Sequence, residues 1–165
     1  MTPPTFYRSW IVANGWSEAI GLGTTFLIGH SLAPTLASPG PGMILLGAAA
    51  AVVLGMVLEG VVVGAAQEQV LRGVLADLRA GSWTAATALG AGAAWLIGMA
   101  PSTVFGLTAP SGQSATATEP PVLLQYTLAV LLGLVAGPIL GSAQALVLRR
   151  HTRGAGRWLW ANAMA

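Results

Sequence analysis

Few side chains in this sequence can do acid–base, nucleophilic or ligand chemistry. Among 165 residues there are five acids, seven arginines and two histidines, with no cysteine and no lysine. Without cysteine there is no disulfide framework, thiolate metal site or thiol nucleophile. Serine and threonine are plentiful but have no histidine–acid partner, and no G-x-x-x-x-G-K-[ST] phosphate loop is present. The residues left are Glu18 and Glu59, each set within a long apolar stretch, with Asn14 four residues before Glu18. A carboxyl in such a setting suits one of three roles. It is a proton or cation site, a satisfied hydrogen-bond cluster between helices, or a contact for a partner or ligand.

The elements that carry these residues follow from composition. Apolar residues make up 55% of the chain and charged residues 7%. A soluble domain carries about 25% charged residues, so this chain cannot cover a water-facing surface. A soluble enzyme, a disordered tail and a nucleic-acid binder are thereby excluded, and the seven arginines form no basic patch. Four apolar segments are predicted as spans, at about Trp10–Gly29, Met43–Leu71, Trp83–Leu107 and Val122–Leu148. Backbone groups in lipid must pair internally, so each is a helix. His30–Gly42 and Ala109–Pro121, rich in Pro, Ser and Gly, read as loops. Asn14 and Glu18 interrupt the apolar run of the first segment, which argues for a retained span and against a cleaved leader. The expectation is an all-α, single transmembrane domain over residues 1–165.

Arginine placement gives an orientation. Arg8 precedes span one, Arg72 and Arg79 lie between spans two and three, and Arg149, Arg150, Arg153 and Arg157 follow span four. All seven fall on one side of an up-down-up-down bundle. The positive-inside rule makes that side cytoplasmic, with both termini there. Compositional bias toward Gly, Ala and Arg suggests a bacterial inner membrane. His30 and His151 fall on opposite sides and cannot share a metal; no cofactor is expected.

A pattern recurs. Span two ends Gly60-x-x-x-Gly64-x-Ala66-Gln67-x-x-Val70-Leu71-Arg72, and span four ends Gly137-x-x-x-Gly141-x-Ala143-Gln144-x-x-Val147-Leu148-Arg149. Trp10, Trp83 and Trp158 open the ascending segments, followed four residues later by Asn14, Thr87 and Asn162. The units are two tandem hairpins, about 8–79 and 80–157, with a partial third at 158–165. Small residues four apart let helix backbones approach closely, and Gln67 and Gln144 continue those stripes between helices. Arg72 and Arg149 suit helix C-termini, where a cation meets the dipole. The tryptophans read as an aromatic belt at the membrane interface. The third unit begins a span and stops: either the chain is shortened or only partly known, or a short terminal helix lies at the interface, which Arg157, Trp158 and Trp160 suit. These hairpins resemble a group of bacterial multi-span membrane proteins with recurring G-x-x-x-G-x-x-Q-x-x-V-L-R and W-x-x-x-N hairpins. That resemblance implies packing and no particular activity.

The acids depart from the pattern. Glu18, Glu59 and Glu68 belong to the first unit and align with Ala91, Ala136 and Ala145. Glu68, four residues before Arg72, is expected to pair with it. Glu18 and Glu59 lie about 15 and 20 Å from the cytoplasmic boundary, where a charge costs at least about 2.5–3.5 kcal/mol. Both are expected to face protein. Asn14, Glu18, Gly21 and Thr25 follow i, i+4, i+7, i+11 and form one stripe predicted to meet span two near Glu59.

The functional expectation is a non-enzymatic accessory or structural subunit that packs in the bilayer against other membrane-protein subunits or copies of itself. The alternative is a small transporter or channel moving protons or cations at Glu18 and Glu59.

Overall fold

The computed structural model describes residues 2–36, 40–108 and 121–164, with the backbone alone described at 33–36. Those residues form helices and turns, with no strand among them. The helices are α1 (Pro3–Leu36), α2 (Pro41–Leu71), α3 (Ser82–Thr108), α4 (Val122–Leu148) and α5 (Arg157–Ala163). Three of them, α2, α3 and α4, are long and apolar enough to cross a membrane. α1 is 34 residues long but carries Arg8, Asn14, Ser17 and Glu18, and is less apolar.

The helix ends follow local chemistry. α2 begins with Pro41, which lacks an N–H that would have no partner in a first turn, behind an extended Gly40. α4 likewise starts after Pro121. α2 and α4 both stop with an arginine, Arg72 and Arg149, in the last helical conformation before the turn. The 30–42 stretch differs from its sequence reading: α1 continues through Pro34 to Leu36. The apolar residues Leu32 and Leu36 and the local Ser31 hydroxyl bond to the Leu27 carbonyl are compatible with helix. The predicted 109–121 loop lies outside the described residues except for Pro121.

α2 is not uniform. Pro41–Leu54 and Val62–Leu71 are α-helical, but Gly55–Val61 between them is π-helical. Glu59 sits in that wider turn. Nothing in the apolar periodicity foretold it.

The helices pack in chain order. α1 lies on α2, α2 on α3, α3 on α4 and α4 on α5, and no backbone contact joins α1 to α3, α4 or α5. The result is an arc, open between α5 and α1. Glycines set the close approaches. A Cβ on Gly21 would stand 2.8 Å from the Leu58 carbonyl oxygen and 2.9 Å from Glu59 Cα, so α1 and α2 cross there backbone to backbone. A Cβ on Gly60 would stand 2.6 Å from Ala88 Cα, and one on Gly64 2.9 Å from Thr84 Cα. The arc closes only at the arginine-bearing end. There Leu71, Leu78, Trp83, Leu148 and Ala155 form a buried apolar cluster flanked by Phe6, Trp10 and Trp158.

α5 stands alongside α4 and does not lie across the bundle. Gly141 faces Leu159 and Asn162, and Gly137 faces Asn162 and Ala163. The glycine stripe of α4 offers α5 a surface for close approach, which an interfacial placement would leave bare.

Candidate functional site

The polar groups gather at the arginine-bearing end. Gln67, on the last α-helical stretch of α2, donates its Nε2–H to Asn14 Oδ1 at 2.7 Å. Its Oε1 accepts from Trp83 Nε1 at 2.8 Å and from Gln144 Nε2 at 3.2 Å. Gln144 also donates to Thr87 Oγ1 at 3.0 Å, and its Oε1 accepts from Trp158 Nε1 at 2.7 Å. One chain of bonds thus runs from α1 through α2, α3 and α4 to α5. Gln144 is 1% exposed and Trp83 0%. In a dry interior an unmade bond leaves a costly bare dipole. No buried side-chain nitrogen or oxygen among the described residues lacks a partner.

The three tryptophans meet above this chain. Their ring centroids lie 6.5 Å (Trp10–Trp83), 5.8 Å (Trp10–Trp158) and 5.8 Å (Trp83–Trp158) apart, all edge to face. That geometry suits the aromatic quadrupole. These three are therefore not a lipid-facing belt, as their sequence position had suggested. They converge on the bundle interior because two of the indole N–H groups have glutamine acceptors there. The tryptophans that do face outward are Trp16 and Trp160, 69% and 73% exposed.

Glu68 is also placed differently from expectation. It forms no pair with Arg72. Its Oε1 accepts from the Gly81 N–H at 2.6 Å, and its Oε2 from the Thr84 N–H and hydroxyl, both at 3.0 Å. It caps the start of α3 from a neighbouring helix. Gly81, at φ 78°, takes a left-handed conformation that presents its N–H to the carboxylate. A carboxylate facing free N–H groups and the positive end of a helix gains more than an exposed i,i+4 pair worth about 0.3–0.5 kcal/mol. Arg72 and Arg149 stay exposed at their helix ends.

The deeper acids divide. Glu59 is half-buried, and its Oε2 accepts from Trp95 Nε1 at 2.8 Å. It borders a cavity of about 440 Å3 with Ala91, Trp95, Gly98, Leu132 and Leu140. The Trp95 ring fills the space beside Gly55, so the π-helical turn has Trp95 against both its start and its carboxylate. Glu18 is exposed, within electrostatic reach of Glu59. The expectation that Glu18 faces protein within this chain is corrected. The buried residues of α1 are Ser17, Gly21 and Thr25, spaced i, i+4, i+8, and at 100° per residue Glu18 lies about 60° off their centre line. Thr25 serves only its own helix, through the Gly21 carbonyl at 2.9 Å. Asn14 is tied to α2 through Gln67, and to its own helix through the Trp10 carbonyl at 2.7 Å.

Among the described residues no group of three or more His, Cys, Asp or Glu side chains could hold a metal ion. The tryptophan–glutamine bonds were missed in the sequence. The signal available was that each Gln lies sixteen or fourteen residues before the tryptophan that reaches it. No family model matches the chain, and neither the curated proteins nor the solved structures contain a match.

Proposed function

We propose that this chain is a non-enzymatic, multi-pass membrane protein whose task is packing: an accessory or structural subunit of a larger membrane complex. In this reading α1 is a fourth span beside α2, α3 and α4. The seven arginines hold the α1 start and the α2–α3 and α4–α5 turns on the cytoplasmic side of a bacterial inner membrane, by the positive-inside rule. The observation that carries the reading is how the interior polar groups are used. Asn14, Gln67, Thr87 and Gln144 bond to one another and to indoles, and so join helices. Meanwhile the first half of α4, residues 122–135, is exposed throughout and apolar except at Gln125, Tyr126 and Thr127. Extraction in mild detergent followed by native mass measurement tests it. Co-migration with other membrane subunits, or a homo-oligomer, is the expected result. A lone monomer that carries out transport or catalysis would overturn it.

One observation favours a second reading, a proton or cation path. Glu59 lies in a π-helical turn, a feature frequent at functional sites, beside a cavity and near Glu18. Flux into liposomes containing the purified chain would decide it. Loss of flux in the Glu18→Gln, Glu59→Gln double variant supports that path, and unchanged flux removes it.

A further inference from the structure

The two glycine stripes make the same contacts. Gly60 meets Ala88 Cα and Ala91 Cβ, and Gly64 meets Thr84 Cα and Thr87 Cβ. Counted from Trp83, these are positions +5, +8, +1 and +4. Gly137 meets Ala163 Cα, and Gly141 meets Leu159 Cα and Asn162 Cβ. Counted from Trp158, these are +5, +1 and +4. In each case the indole N–H of that tryptophan then donates to the glutamine beyond the stripe, Gln67 or Gln144. In both places a descending helix with G-x-x-x-G-x-A-Q is seated on the face of an ascending helix defined by W-x-x-x-[NT].

α1 carries the same face, starting from Trp10: Ile11, Asn14, Gly15 and Glu18. No helix covers it. Ile11 is 67% exposed, nothing lies within 4 Å of a Cβ on Gly15, and Glu18 is exposed. Glu18 is the counterpart of Ala91, which is buried under Gly60. The polar atoms agree. Trp83 and Trp158 donate to glutamines, but Trp10 Nε1 has no acceptor among the described residues. Asn14 Oδ1 and Thr87 Oγ1 accept from glutamines, but Asn162 Oδ1 accepts from none. Both groups flank the opening between α5 and α1, where the arc of helices lacks a backbone contact.

We infer that this opening is the seat of one further membrane helix from a partner polypeptide. It runs antiparallel to α1 and bears the small-x-x-x-small-x-x-Gln pattern. Its glycines lie over Ile11, Asn14, Gly15 and Glu18, and its glutamine donates to Asn162 Oδ1 and accepts from Trp10 Nε1. A position facing Glu18 supplies a hydrogen-bond donor, since a carboxyl buried there without one is costly. A second copy of this chain is a poor occupant, because its own two stripes already hold α3 and α5. The inference rests on the packing-subunit reading and names the kind of helix that reading requires.

The chain has no cysteine, so one introduced thiol gives one labelled site. Val12 borders the proposed seat and is 57% exposed. The full chain with Val12→Cys carrying a benzophenone is reconstituted in phosphatidylethanolamine–phosphatidylglycerol liposomes. The probe is a synthetic peptide of residues 122–150, whose stripe and Gln144 have the required sequence. Illumination is expected to give a one-to-one adduct. Gln144→Leu in the peptide lowers the yield about threefold to tenfold, as loss of one or two interhelical bonds predicts, and Gly137→Ile with Gly141→Ile abolishes it. A label at Leu128→Cys, on the exposed face of α4, gives no adduct. Equal yields with the Gln144→Leu peptide or from the Leu128 label would overturn the inference, as would chain–chain adducts of equal abundance without peptide. Native mass measurement judges the subunit reading separately. Partners in the mass with no peptide adduct leave that reading standing and defeat this one.

Discussion

The two ends of the bundle are built differently. At the arginine-bearing end, three indoles meet edge to face over two glutamines, and bonds cross from α1 to α5. At the far end the first half of α4 is exposed along its length, and Phe26, Leu27, Val104 and Phe105 point outward. Helix contacts there are apolar and looser, such as Ile44 beside Gly106 and Leu132 beside Gly98, with 3.4 Å and 3.8 Å the closest distances to a Cβ on each glycine. The difference shows where orientation is decided. Lipid chains are as apolar as leucine, so apolar contact alone gives helices little reason to prefer one another. Directional bonds and close glycine contacts supply that preference, and both are concentrated at one end.

Substitutions at the two ends break or sharpen this contrast. The largest effect is expected from Gly64→Ile, because even a Cβ there comes within 2.9 Å of Thr84 Cα and Thr87 Cβ, and backbone cannot yield cheaply. Thermal unfolding in detergent should show a loss of about 3 kcal/mol, the upper range for overpacking. Gln144→Leu comes next. It strands the Trp158 indole and the Thr87 hydroxyl, with an expected cost of about 1–2 kcal/mol and a shift in tryptophan emission. Glu68→Ala removes the acceptor for three donors at the start of α3. It should cost about 1 kcal/mol and speed hydrogen exchange at the Gly81 and Thr84 amides. Leu128→Ala, at the far end and 53% exposed, should change stability by less than about 0.5 kcal/mol. A cost at Leu128 equal to that at Gln144 would erase the contrast.

Much of the framework was readable from composition. α2, α3 and α4 fall within a residue or two of the predicted segments, because unbroken apolar runs between Pro-rich and Arg-bearing stretches leave little freedom. The glycine stripes and the inward aim of Gln67 and Gln144 were readable from four-residue spacing. Other features were not. α1 extends past His30 because Pro34 does not stop a helix whose neighbouring residues still favour it. Glu68 was read beside its sequence neighbour Arg72, whereas its donors sit thirteen and sixteen residues away across a turn. The tryptophans were read against lipid, because one sequence does not reveal that three indoles from separate helices share an axis. Of the stripe Asn14, Glu18, Gly21 and Thr25, Gly21 meets α2 at Glu59 and Thr25 is buried, but Ser17 takes the inward place expected of Glu18, and periodicity alone does not choose between those two.

The wide turn at Gly55–Val61 has a consequence for the rest of α2. Its loop of hydrogen bonding encloses one residue more than an α turn. Pro41–Leu54 is therefore phased against Val62–Leu71 by an extra residue. Straightening that turn into a plain helix with every residue kept would swing the distal segment by about 100°, and Ile44 would leave Gly106 while the Gln67 end stayed in place. Deleting one amino acid within the turn takes out the extra residue itself and leaves both segments facing as they do.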